Sequence, residues 1–361
     1  MKKFIMNSII LLLFIVAIVL GIYVLNEYVI QNETVAEVFQ QGYDNVNAIS
    51  KNEDTNVEDP TNSITTSYNS NFSDNDNFYY NQLDDYAKII YSKLNENKEN
   101  MKSGNYTIDF GKTFNEFLNS ENGEQKMNQA YQSALDAYFL DNPDVFYLDV
   151  TKMYLLMNTR TFGSKTTYSV TIGGENGESY YNSSFSSKEQ VDRAIEEIEN
   201  QTEYIINNSS NYTYKKLQQM HDWLVDNVEY DQSISRKNIR NIYGAFKEKQ
   251  VVCEGYAKSY KYLLDKAGIE NIIVVGYGKN SQGKNEEHAW NYVKLNGKWY
   301  AVDVTWDDPI IVGGGKLSDK SRYNYFLKGS NNFKGTHNAT GKTSEGGIIF
   351  TYPELNVSDF N

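Results

Sequence analysis

Apolar residues follow three different spacings along this chain, and each predicts a different kind of element. From residue 9 to residue 25 they are almost continuous, with Phe4, Ile5 and Met6 just ahead of the run. With those flanks the segment reaches roughly the 20 residues that a helix needs to cross a hydrocarbon core of about 30 Å. Lys2 and Lys3 precede it, and Glu27 is the first charge behind it. The positive-inside rule then predicts a cytoplasmic N-terminus at 1–7, an anchor at 8–25 and everything after it outside. A cleaved signal peptide is the alternative, giving a secreted protein. The nearest small-x-small pattern, Thr34-Val35-Ala36, sits far from the apolar run, which favours the retained anchor. Residues 26–75 then turn polar, as in Asn52-Glu53-Asp54-Thr55-Asn56. That stretch has too little apolar area to offset its chain entropy and is expected to be a flexible tether.

Beyond residue 75 the spacing becomes that of a globular protein. Leu83, Ala87, Ile90 and Leu94 recur at helical intervals, as do Met127, Ala130, Tyr131, Ala134, Leu135 and Tyr138, with Asp141-Asn142-Pro143 as a stop. Three short apolar runs read as strands: Val145-Phe146-Tyr147-Leu148, Met153-Tyr154-Leu155-Leu156 and Tyr168-Ser169-Val170-Thr171. Ser187-Lys188-Glu189-Gln190 has the form of a capping box opening a helix that carries Val191, Ala194, Ile195 and Ile198. A further helix follows around Leu217, Met220, Leu224 and Val228. These elements predict an α+β unit over 76–205, with a second domain over 206–361.

Charge removes one class of function. Against 34 Lys and Arg stand 47 Asp and Glu, a net charge of −13 that repels phosphate backbones, so no nucleic-acid partner is expected. The single cysteine excludes a disulfide framework and a cysteine zinc cluster. His221, His288 and His337 are too dispersed in sequence to predict a metal site, and no cofactor is implied. His221 lies beside a helical packing stripe and His337 in a Gly/Asn/Thr-rich loop; both read as ordinary structural histidines.

The cysteine is different because of what surrounds it. After Val252-Cys253-Glu254-Gly255 the pattern turns helical through Tyr256, Ala257, Tyr260, Leu263, Leu264 and Ala267, and Gly268 closes it. Cys253 is thus predicted in the first turn of a helix, where free amides and the dipole favour a thiolate. A buried packing cysteine is the plain alternative, but the position precedes the apolar face. Ile272-Ile273-Val274-Val275 reads as a buried strand, and Leu295-Asn296-Gly297-Lys298 is a two-residue type I′ hairpin signal. That turn sets the register: Leu295 faces Lys298, Trp290 faces Asp303 and His288 faces Thr305. His288 and Asp303 then share a face as diagonal neighbours, close enough for a side-chain hydrogen bond.

A thiol, an imidazole and a carboxylate in this order, on a helix followed by an antiparallel hairpin, resemble the transglutaminase-like superfamily with its papain-like core. The matching residues are Val252-Cys253-Glu254-Gly255-Tyr256-Ala257, His288-Ala289-Trp290-Asn291 and Lys298 through Trp306, together with His221-Asp222-Trp223-Leu224 and Tyr243-Gly244-Ala245-Phe246. The likeness is good over 206–361 and loose over 76–205. It implies an α+β fold in which a helix bearing the cysteine packs on an antiparallel sheet bearing the histidine and the aspartate. It also implies Cys253 as nucleophile, His288 as general base and acid, and Asp303 as the orienting residue. The Cys253 amide is a natural oxyanion donor, Tyr243 is the side-chain candidate for a second, and Trp290 and Trp306 are candidates to line the cleft.

Such a triad forms a thioester from an amide or ester; an amine acceptor then gives a cross-link and water gives hydrolysis. An anchored exterior enzyme would meet protein or cell-wall peptide substrates at the cell surface. The competing reading is a non-catalytic surface module with the same fold. A redox sensor would need a resolving thiol, which the chain does not offer.

Overall fold

Polar caps decide where the periodic segments become helices. In the computed structural model, which describes residues 77–280, 282–308 and 321–360, α1 (Asp85–Glu96) starts where the Asp84 carboxylate accepts the Ala87 amide. It buries Ala87, Ile90, Tyr91 and Leu94. α2 (Gly123–Asp141) packs on it and buries Met127, Ala130, Tyr131, Ala134, Leu135 and Tyr138. Pro143 ends α2 because the residue before a proline is pushed out of the helical region, and Asn142 sits at φ −120°, ψ 74°. In α3 (Lys188–Asn207) the Ser187 hydroxyl accepts the Gln190 amide, while the Gln190 carboxamide accepts the Ser186 amide. α4 (Thr213–Asn227) follows.

β1 (Ile108–Gly111), β2 (Tyr154–Phe162) and β3 (Lys165–Gly173) form an antiparallel sheet in the order β1-β3-β2. β2 and β3 are two of the expected strands, joined as a long hairpin. The third, at 145–148, is not a strand. Pro143–Val145 form a 3-10 turn and only an isolated Leu148–Tyr181 bridge follows. All four of its apolar side chains are buried, and an apolar run enclosed on every side carries no period by which strand and turn can be told apart.

The second half holds the working geometry. β4 (Glu229–Tyr230) pairs in parallel with β5 (Gln250–Val251), which leads straight into α5 (Cys253–Lys266). α5 ends as expected: Gly268 has φ 68°, its amide donates to the Asp265 carbonyl, and the Ile269 amide donates to Leu264. β6 (Asn271–Lys279), β7 (Asn285–Leu295), β8 (Lys298–Val302) and β9 (His337–Ala339) make an antiparallel sheet in the order β8-β7-β6-β9. Asn296 and Gly297 have φ of 52° and 74°, the type I′ pair. The ladder runs from Leu295–Lys298 to Asn291–Val302. It stops one pair short of Trp290–Asp303, because the Asp303 amide donates instead to the Tyr325 carbonyl.

Both faces of this sheet are covered. Ile273, Val293 and Val302 belong to a core that also takes in Tyr79, residues of α1 and α2, Tyr256, Tyr260 and Leu263 of α5, and Phe350. Ile272, Val274, Trp290, Tyr292 and Ala301 pack with Phe333 and Leu355 on the other side. The helices before residue 205 and the sheet after residue 270 therefore share one apolar core. The architecture is α+β. No helix among the described residues is long and apolar enough to cross a membrane, and the expected anchor at 8–25 lies outside them.

Candidate active site

Cys253 is the first residue of α5 and half-buried, so it stands at the helix N-terminus. As the N1 residue its amide has no acceptor within the helix. Close approach makes this start possible: a Cβ on Gly255 would stand 2.5 Å from both the Ile239 carbonyl oxygen and the Val251 Cβ. The Asn291 side-chain amide donates to the Ala257 carbonyl at 2.9 Å and ties the first turn of α5 to β7.

His288 lies on β7, opposite Gly276 of β6. Its Nε2 is 2.7 Å from Asp303 Oδ2, and Cys253 acts on the same imidazole electrostatically. Since Nε2 serves the carboxylate, Nδ1 is left for the thiol. Burial opposes a charge on His288, but the Asp303 charge and hydrogen bond, with the Cys253 contribution, outweigh it and hold the imidazole well above its ordinary value. Burial likewise opposes the Asp303 carboxylate. The charge and hydrogen bond of His288, and then the hydrogen bond of His337, overcome that and hold it well below the usual carboxylate range. The pair is thus arranged to keep an imidazolium beside Cys253.

Asp303 has no solvent exposure and uses both oxygens. Oδ1 accepts the Trp306 amide at 3.2 Å, closing a turn after β8, while Oδ2 accepts from His288 and, at 3.0 Å, from His337 Nε2. The sequence had pointed to His337 as a loop histidine. It starts β9, opposite Gly278, and its Nδ1 lies 2.9 Å from the Thr336 hydroxyl. A three-residue strand set among Gly, Asn and Thr carries no periodic signal, so only the tertiary pairing with β6 shows where His337 sits. His288, Asp303 and His337 are buried and close enough to converge on a metal ion. Their 2.7 and 3.0 Å separations, both to one carboxylate oxygen, are those of hydrogen bonds.

The other candidates divide. Trp306 stacks on His288 with ring centres 5.0 Å apart and also touches His337, so it walls the imidazole. Trp290 is buried and packs against Phe333 and His337 beneath the site. Tyr243 stacks on Phe146 and packs edge-on against Phe185, an aromatic packing role. A different tyrosine is electrostatically linked to Cys253. Tyr230 pairs with Val251, two residues before Cys253. Burial, followed by the Cys253 charge, pushes its hydroxyl up to about 12, so it remains a proton donor at neutral pH. Glu254, next to Cys253, is neutralised by Lys258 at 2.7 Å and Arg240 at 3.4 Å.

His221 is a fully buried link rather than a reacting group. Its Nδ1 meets Asp222 and its Nε2 meets Asp307, both at 3.1 Å, while the Tyr325 amide donates to the other Asp307 oxygen. This network pins α4 to the turn that carries Asp303.

Residues 199–304 match the model of the transglutaminase-like superfamily. This segment is a transglutaminase-like domain. It contains Cys253, His288 and Asp303 and ends before Trp306 and His337. Among curated relatives, the Kyphoscoliosis peptidases of Mus musculus and Homo sapiens are each 30% identical over 102 residues, which is 25% of this chain. The match spans only 15% of the length of either relative. Among solved structures, a TGase is similar with a TM-score of 0.30 and 16% identity, over 47% of this chain and 48% of that one. A TM-score this low does not establish a shared fold. The transglutaminase-like domain supports a peptidase or acyltransferase kind of function.

Proposed function

We propose that this protein catalyses cysteine-dependent acyl transfer or amide hydrolysis on extracellular protein or cell-wall peptides, through a thioester on Cys253. The observation that carries this reading is the buried 2.7 Å bond between His288 and Asp303, with Cys253 at a helix N-terminus as the other neighbour of the imidazole. In the first half-reaction the thiolate attacks the carbonyl carbon, and His288 gives its proton to the leaving amine as the C–N bond breaks. In the second, water or a primary amine loses a proton to His288 and attacks the thioester, and the sulfur departs as thiolate. The tetrahedral oxyanion is stabilised by the Cys253 amide and, in place of Tyr243, the Tyr230 hydroxyl. The exterior location rests on sequence alone, on Lys2 and Lys3 ahead of the apolar run at 9–25.

The test is a burst of p-nitrophenol from p-nitrophenyl acetate, run beside incorporation of a fluorescent primary amine into casein. Wild type should give a burst of one equivalent per chain, and Cys253→Ala none. Amine incorporation would assign cross-linking; ester turnover without it would assign hydrolysis. If Cys253→Ala retains the wild-type signal, or wild type shows none, the non-catalytic surface module becomes the better reading.

A further inference from the structure

His288 and His337 stand on either side of one strand, on the same face of the sheet. His288 is paired with Gly276 of β6 and His337 with Gly278, and those glycines, two residues apart, point to one face. Neither glycine puts a side chain between the imidazoles. The trough so formed receives the Asp303 carboxylate and the Trp306 ring, and a Cβ on Gly278 would stand 2.7 Å from the Trp306 ring and 3.2 Å from His288 Cδ2. His337 is held there on three sides. Phe333 stacks on it with ring centres 3.8 Å apart and planes within 14°, Thr336 meets Nδ1, and Asp303 Oδ2 meets Nε2.

We propose that His337 is a positioning residue of the reaction: a neutral imidazole whose Nε2–H clamps the same Asp303 oxygen that orients His288. The inference rests on the catalytic reading of Cys253, His288 and Asp303. A carboxylate oxygen only accepts, so a proton must be on Nε2; the Thr336 hydroxyl, which donates to the Phe333 carbonyl at 3.2 Å, lies beside Nδ1. Burial, the largest influence on His337, favours its neutral form. Two imidazoles on Oδ2 and the Trp306 amide on Oδ1 fix the plane of the carboxylate, and with it the ring of His288. The Nε2–H bond also favours the ionised carboxylate, so that Asp303 stays charged at lower pH than it would with His288 alone. His337 acts through Asp303 and does not reach the reacting atoms.

The experiment is the pH dependence of Cys253 alkylation by iodoacetamide in the full chain, for wild type, His288→Ala, His337→Phe and His337→Gln. Phe keeps the stack on Phe333 without a donor; Gln restores an N–H at the Nε2 position. We expect His337→Phe to move the acid limb up by about one pH unit or more and to slow alkylation roughly tenfold at pH 5, with Gln recovering most of both. A His337→Phe profile superimposed on wild type overturns the inference, as does a folded His337→Gln that fails like Phe. Imidazole ¹⁵N shifts of the wild-type protein decide the matter even if His337→Phe does not fold: a neutral Nε2–H tautomer for His337 supports the clamp, and an Nδ1–H tautomer overturns it. If wild type and His288→Ala both alkylate like a free thiol, the catalytic reading itself has failed, an outcome distinct from all of these.

Discussion

Gly278 and Trp306 fit each other at the cost of a side chain: a Cβ on Gly278 would lie 2.7 Å from Trp306 Cζ2, so the indole occupies the space that any other residue would fill. The same indole stacks on His288. One missing side chain on β6 therefore lets the Trp306 ring close over His288.

Gly278→Ala should accordingly push Trp306 off His288. Overpacking of this kind costs about 1–3 kcal/mol, read as a lower urea midpoint. Ester acylation should fall more steeply than stability, because the displaced ring no longer excludes water from the imidazole. Equal acylation rates in the two proteins would show that Trp306 is only filler.

Asp303→Asn removes the charge that favours an imidazolium beside Cys253. Alkylation at pH 6 should drop on the order of tenfold or more, while the difference should shrink near pH 9, where an ordinary thiol is largely ionised. Stability carries a second signature. A carboxyl held below its unfolded value contributes stability that is fully present above about pH 4 and is lost as pH falls through the folded value. Urea midpoints of the Asn variant should thus lose less between pH 4 and pH 2.5 than those of wild type.

His221 predicts a pH dependence of opposite sign. Burial opposes its charge, but Asp222 and Asp307 outweigh burial and raise it above its ordinary value. Its contribution is complete below about pH 6.5 and declines as pH rises through the folded value. His221→Asn should flatten the loss of urea resistance between pH 6.5 and pH 9; an unchanged slope would remove His221 as its source.

The two tyrosines separate by function. Tyr243→Phe deletes a hydroxyl from an aromatic cluster and should leave acylation within about twofold. Tyr230→Phe deletes the proposed oxyanion donor and should slow acylation on the order of a hundredfold with little change in iodoacetamide alkylation, which forms no oxyanion. The reverse pattern would restore Tyr243 to the site.

Much of this protein was legible one segment at a time. Cys253 at a helix start, the Gly268 stop, the Asn296-Gly297 turn and the pairing from Leu295–Lys298 inward depend on neighbours within a few positions in sequence, where capping, helical period and turn conformation act. The His288–Asp303 pair followed from that turn, since a two-residue loop leaves one register. The sequence by itself therefore determined the helix start at Cys253, the His288–Asp303 pair and the α+β class. Only the tertiary structure decided that the 145–148 run is a turn, that Tyr230 pairs with Val251 two residues before Cys253 while Tyr243 packs on Phe146, and that His337 shares an oxygen with His288. Each of those joins residues brought together by the shared core or by pairing across β6. Side-chain spacing repeats along a strand or a helix, but nothing in that repeat says which distant strand will lie alongside.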